Sequence, residues 1–187
     1  MEYIVALTLL VALGAWVVSS YLRLFYLYEK VQGAWQQWSQ ATRQRNDCVA
    51  DFVRLFALCL PQGDVLPRDM RRWTEDSKRA LVASPHAPAV GNVAGLSRAE
   101  RSLRRVLSHS VHTLETTQPL RDNDDLRNLC SALTVSLYRQ EEMAGLYNRS
   151  VIQYNQALLA PGARLVASLF GFSPAARMSG SGIANYE

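Results

Sequence analysis

The first hydrophobic feature of the chain is continuous: from Tyr3 to Leu22, twenty residues pass without a charged side chain, rich in Leu, Val, Ala and Ile. As a helix rising 1.5 Å per residue this stretch is about 30 Å long, enough to span bilayer hydrocarbon. The pattern then becomes periodic, with Leu24, Tyr28, Val31, Trp35, Trp38, Thr42, Arg45, Val49, Phe52, Phe56 and Cys59 in alternating steps of three and four. That is the seam of an amphipathic helix, and since no proline lies between Met1 and Leu60, it predicts one helix continuous with the span. Pro61, Gly63, Asp64 and Pro67 end it. A second helix is expected over about 67–83, with Met70, Trp73 and Ala80 on one face, followed by a loop over 84–96. Ser97 and Glu100 have the spacing of a capping box, ahead of Leu103, Leu107 and Leu114 at helical intervals. The last long helix opens at Asp122–Asp125. Its seam is the most regular in the chain: Leu126, Cys130, Leu133, Leu137, Gln140, Ala144, Tyr147, Val151, Tyr154 and Leu158.

Four amphipathic helices without a strand signal predict an all-α fold: an N-terminal transmembrane helix continuous with an antiparallel up-and-down four-helix bundle. Its expected parts are an anchor and stalk over 1–27, a helical bundle over 28–160 and an apolar segment with tail over 161–187. In that topology Thr42 and Arg45 lie level with Gln140 and Glu141, so a polar layer interrupts the apolar core. Arg45 either pairs there with Glu141 or Glu142 and hydrogen-bonds Gln140, or turns its long side chain outward to solvent.

Composition narrows the function classes. Across 187 residues, 20 Lys and Arg face 16 Asp and Glu, a net charge of +4. The basic stretches at Arg68–Arg79 and Arg98–Arg105 lack interleaved exposed aromatics, Trp73 being assigned to the inward face, and read as solvated or salt-bridged helix faces with no nucleic-acid partner. Arg23, Lys30, Arg43 and Arg45 follow the span, whereas Met1 and Glu2 precede it; this bias puts the N-terminus outside and the bundle in the cytoplasm. Trp16, Tyr21, Phe25, Tyr26 and Tyr28 suit the headgroup layer at the cytoplasmic end. Cys48, Cys59 and Cys130 have neither disulfide nor metal-ligand spacing, and His109, His112 and Glu115 drift around their helix rather than sharing a face. No P-loop, dinucleotide fingerprint, HExxH or GxSxG motif occurs, so no catalytic, cofactor or metal residues are assigned.

Two groups remain as candidate interaction residues. Tyr147 and Tyr154 lie seven apart, each followed by an Asn, Asn148 and Asn155; their polar tips either specify internal packing or hold a partner by directed hydrogen bonds. Leu165, Val166, Leu169, Phe170 and Phe172, with Arg164, form an apolar segment that a descending last helix returns to the membrane surface. There it docks on lipid or a second subunit, or caps its own core.

Tyr147-Asn148, Val151, Tyr154-Asn155, Pro161 and the run Val166–Phe172 resemble the C-terminal signature of the LemA family. Tyr28–Val31, Ala34-Trp35 and Arg43–Asp47 resemble that family's membrane-proximal helix, and Pro119-Leu120 its turn before the last helix. Trp35 and Trp38 join the signature as packing residues. The chain departs from the pattern at Pro61–Pro67 and at Met143–Leu146. The resemblance implies a bacterial inner-membrane protein without enzymatic activity, one that works through partner binding or membrane organisation; we read the chain as a scaffold without cofactors that forms a homo-oligomer. Relatives are associated with membrane-embedded metalloproteases of the HtpX type, which implies an adaptor, and with magnetosome membrane biogenesis, which implies a membrane-organising role. A membrane enzyme is the remaining class, and it needs a titratable cluster in a pocket.

Overall fold

The computed structural model describes residues 1–61, 63–88 and 94–178; part of the expected 84–96 loop and the Gly180-Ser181-Gly182 tail lie outside them. All regular elements are helices: α1 (Glu2–Cys59), α2 (Val65–Val82), α3 (Ala94–Thr116), α4 (Gln118–Arg121), α5 (Asp124–Leu159) and α6 (Pro161–Phe170). The 58 residues of α1 make a rod about 87 Å long that includes one segment long and apolar enough to cross a membrane, none of it buried.

The boundaries follow local chemistry. Leu60, ahead of Pro61, is extended, as the proline ring requires of its neighbour. Asp64 caps α2 by accepting the Leu66 N–H at 2.9 Å. Asn123 caps α5 by accepting from Leu126 at 3.1 Å, with Asp124 and Asp125 at the positive end of the helix dipole. The expected capping box does not form. Helix α3 spans Ala94–Thr116, so Ser97 is buried inside it and Glu100 turns inward to Arg45.

Helices α1 and α5 pair along most of their lengths. Tyr28 meets Tyr154, Trp35 meets Tyr147 and Thr42 meets Gln140, in steps of seven on both helices. Seventeen residues further on each, Cys59 meets Asn123. Buried apolar side chains form two clusters. The proximal one, nearer the apolar N-terminal part of α1, joins Leu24, Val31, Trp35, Trp38, Tyr147 and Tyr154 to Val166 of α6 and to Ala175, Ala176 and Met178. The distal one joins Val49, Phe52 and Phe56 to Met70, Leu103, Leu107, Leu126 and Leu133. The segment after residue 160 thus completes the proximal core.

The turn from α5 into α6 brings Gly162 against Trp16, so closely that a Cβ on Gly162 would lie 2.0 Å from Cζ2 of the indole. Gly162→Ala is therefore expected to push α6 off α1 and cost about 1–3 kcal/mol in detergent unfolding experiments. Adding Trp16→Ala should recover most of that loss; equal stability of the single variant and the parent would contradict the close approach.

Candidate functional site

Between the two apolar clusters lies a buried polar layer. Arg45, only 2% exposed, reaches from α1 across to α3, where its guanidinium engages both Glu100 oxygens at 2.5 and 3.0 Å. It also donates to Gln140 Oε1 at 3.0 Å, Asn46 Oδ1 at 2.6 Å and Ser77 Oγ at 3.2 Å. Gln140 returns its amide to Glu100 at 2.8 Å and to Thr42 at 3.3 Å, and Ser77 donates to Glu100 at 2.7 Å. The helices α1, α2, α3 and α5 therefore meet in one hydrogen-bonded cluster. Among the described residues, Arg45 Nε is the buried side-chain atom left without a partner.

The hydrogen bond from Arg45 to Gln140 matches the sequence expectation, but the carboxylate does not. Glu100 takes the place assigned to Glu141 or Glu142: Glu141 instead accepts from Arg104 at 3.1 Å on the half-exposed edge, and Glu142 is exposed. Gln140 is buried and faces the centre from α5, while the following Glu141 and Glu142 are carried round to the helix's outer side. Burial alone would raise the Glu100 carboxyl's pKa. The Arg45 charge and the hydrogen bonds from Arg45, Ser77 and Gln140 outweigh it, holding the carboxyl below its ordinary range.

The Tyr-Asn repeat proves to hold the chain's own C-terminal strap. Past Gly171, which closes α6 in the left-handed conformation at φ 73°, residues 173–178 run extended along α5. Tyr154 Oη donates to the Ser173 carbonyl at 3.0 Å and Tyr147 Oη to the Ala176 carbonyl at 2.8 Å. Asn155 binds both main-chain groups of Ala175, donating at 2.9 Å and accepting at 3.0 Å. Asn148 does the same for Met178, at 3.2 and 2.8 Å. The spacing has a simple geometric origin. Seven residues of helix advance about 10.5 Å, and three residues of extended chain about 10 Å, so each Tyr-Asn unit reads three residues of backbone. On the strap's other side, the Ala176 N–H donates to the Pro88 carbonyl at 3.0 Å, and that loop is tied to α1 through Trp35 and Gln32.

These tyrosines and asparagines bind peptide groups, while Ala175, Ala176 and Met178 bury their side chains in the proximal core beside Trp35 and Trp38. Burial pushes the Tyr147 phenol well up, and burial with the neighbouring Tyr28 pushes Tyr154 up to about 12. Both remain proton donors into strongly alkaline solution. Among the apolar candidates, Val166 is buried, Phe172 is half-buried against Tyr21 and Tyr28, and Leu165, Leu169, Phe170 and Arg164 are exposed. No cluster of His, Cys, Asp and Glu suited to a metal ion occurs among the described residues. Sequence reading missed Glu100, Ser77 and Asn46. Their signal was faint: small or polar residues on inward helix positions that a buried arginine needs as partners.

Glu100→Leu alone should strand the Arg45 charge and destabilise the protein by about 3–5 kcal/mol, whereas Arg45→Met with Glu100→Leu should approach parental stability. Because the Glu100 pKa is depressed by folding, its stabilisation is present above the ordinary carboxyl range and lost as pH falls through and below about 4. Glu100→Gln should flatten that acid limb of the unfolding curve. For the strap, Asn155→Ala should speed amide exchange at Ala175, and Asn148→Ala that at Met178, by at least about tenfold. The raised phenol pKa values have the opposite sign: the strap's Tyr contribution is complete below about pH 10 and drains away as pH rises toward 12. Tyr147→Phe with Tyr154→Phe should abolish this alkaline loss.

No family model matches the chain and no curated protein matches it significantly, so its role is read from the polar layer, the strap and the corner between α5 and α6.

Proposed function

We propose that the protein is a noncatalytic scaffold or adaptor, anchored by residues 3–22 in a bacterial cytoplasmic membrane, with its bundle in the cytoplasm. It self-associates and presents its surface to another membrane protein, a quality-control metalloprotease of the HtpX type in the LemA-like reading. The observation that carries this is the continuity of α1, which is both the candidate span and a wall of both core clusters. A hingeless rod fixes the height and direction of everything packed on it, which is what a scaffold requires. The helices α1, α2, α3 and α5 are read as an up-and-down antiparallel four-helix bundle, supported by the stepwise pairing of α1 with α5. Orientation rests on Arg23, Lys30 and Arg43, which remain exposed; Arg45, buried in its ion pair, drops out of that comparison.

A second reading, a membrane-organising protein, is favoured by the apolar corner beside Trp16. Native mass spectrometry from the protein's own membrane should find a homo-oligomer carrying a membrane-protein companion. Monomers with nothing attached would overturn the scaffold. Proteoliposomes separate the two readings: vesicles tubulated by the purified protein alone favour membrane organisation, and unchanged vesicles favour the adaptor.

A further inference from the structure

We infer that the corner between α5 and α6, together with the outer face of α6, is a second membrane element. It dips into the leaflet on the bundle's side, along the last turns of the span, and its partner is lipid. This rests on reading residues 3–22 as membrane-spanning.

The height of the corner is set by protein contacts. Gly162 lies against Trp16, and Trp16 precedes the end of the apolar run at Leu22 by six residues, about 9 Å along the helix. Helices that lie in a bilayer interface bury their apolar faces about 5–10 Å deep, so the corner sits at interfacial depth once the span is in place. From there α6 climbs back beside α1, its Phe170 ring 4.8 Å from that of Tyr21.

The composition fits that position. Between Ala157 and Phe172 the only charged side chain is Arg164. Val166 and Ala167 face the protein, while Leu165 and Leu169 point away from it, 65% and 77% exposed, and Phe170 keeps 54% of its surface exposed although one side of its ring lies against Tyr21. An outward apolar face on an element held beside a membrane span meets hydrocarbon, where its exposure costs nothing. The polar groups also have a place. Arg164 is exposed and long enough to reach headgroups, and Arg23, one residue beyond the apolar run, lines a groove of about 500 Å³ between α1 and α5 with Ala157 and Ala160. At the bend Pro161 has no N–H to satisfy, Ala160 donates to Ala157, and Arg164 donates to Ala160.

Site-directed spin labelling tests the inference. Single cysteines are placed by Leu10→Cys, Leu169→Cys or Tyr138→Cys in the whole chain, with Cys48, Cys59 and Cys130 replaced by Ala. Each variant is reconstituted into phosphatidylethanolamine–phosphatidylglycerol vesicles. Leu169 and Tyr138 are exposed, so the labels displace no core. The expected result is that nitroxides at 10 and 169 collide preferentially with oxygen and the nitroxide at 138 with an aqueous nickel chelate. Preference for nickel at 169, with oxygen preferred at 10, overturns the inference and leaves the span intact. Nickel preferred at 10 overturns the span reading and the inference with it. A label at 169 shielded from both reagents shows a protein surface, such as a second copy, covering α6, which also overturns lipid as the partner.

Discussion

Axial register is the constraint on which the rest of this molecule depends, and the Arg45 cluster is the group that cannot tolerate an error in it. Apolar seams alone permit a helix pair to slide by one turn, about 5.4 Å, and still find Leu against Val. A guanidinium buried to 2% exposure cannot: one turn away, Gln140 and Glu100 no longer reach it. Such a pair gives little net stability against an apolar substitute, but displaced pairings leave a bare charge in the core. With Thr42 fixed against Gln140, the next matches at Trp35 with Tyr147 and Tyr28 with Tyr154 follow, and with them the level at which α5 ends beside the span.

The two apolar clusters on either side of this layer differ in construction. The distal cluster is helix against helix, built from Phe52, Phe56, Met70 and leucines. The proximal cluster brings α1 and α5 together with a loop and an extended strap, and it must satisfy peptide groups that no helix provides for. Tyr147, Asn148, Tyr154 and Asn155 do this by acting as the missing neighbour of a β-strand. An asparagine amide, with one donor and one acceptor side by side, has the same hydrogen-bonding outline as a main-chain residue.

How much of this was legible in the sequence depends on how local the cause was. The seams of α1 and α5 were readable because large side chains recur at steps of three and four over many turns. The polar layer was half readable: Arg45 and Gln140 break apolar seams, so their meeting could be placed by counting, but Glu100 lies on a different helix and its local spacing from Ser97 mimics a cap. Only the position of Ser97 inside α3 shows that no cap is needed there. The strap was not readable from its own residues, since Ser173, Pro174 and two alanines carry no periodicity. Its trace lay in the partner, in a Tyr-Asn pair repeated after seven residues.

The strap also orders events during synthesis. Ser173 to Met178 emerge from the ribosome after every helix they pack on, so a chain still being made carries an unfinished proximal core. Two phenols, two amides and an apolar trough wait for main chain that has not yet been translated. A messenger broken upstream of Ser173 would yield a product that keeps every residue of the distal cluster while the proximal core stays open, with Tyr147, Asn148, Tyr154 and Asn155 unpaired with main chain.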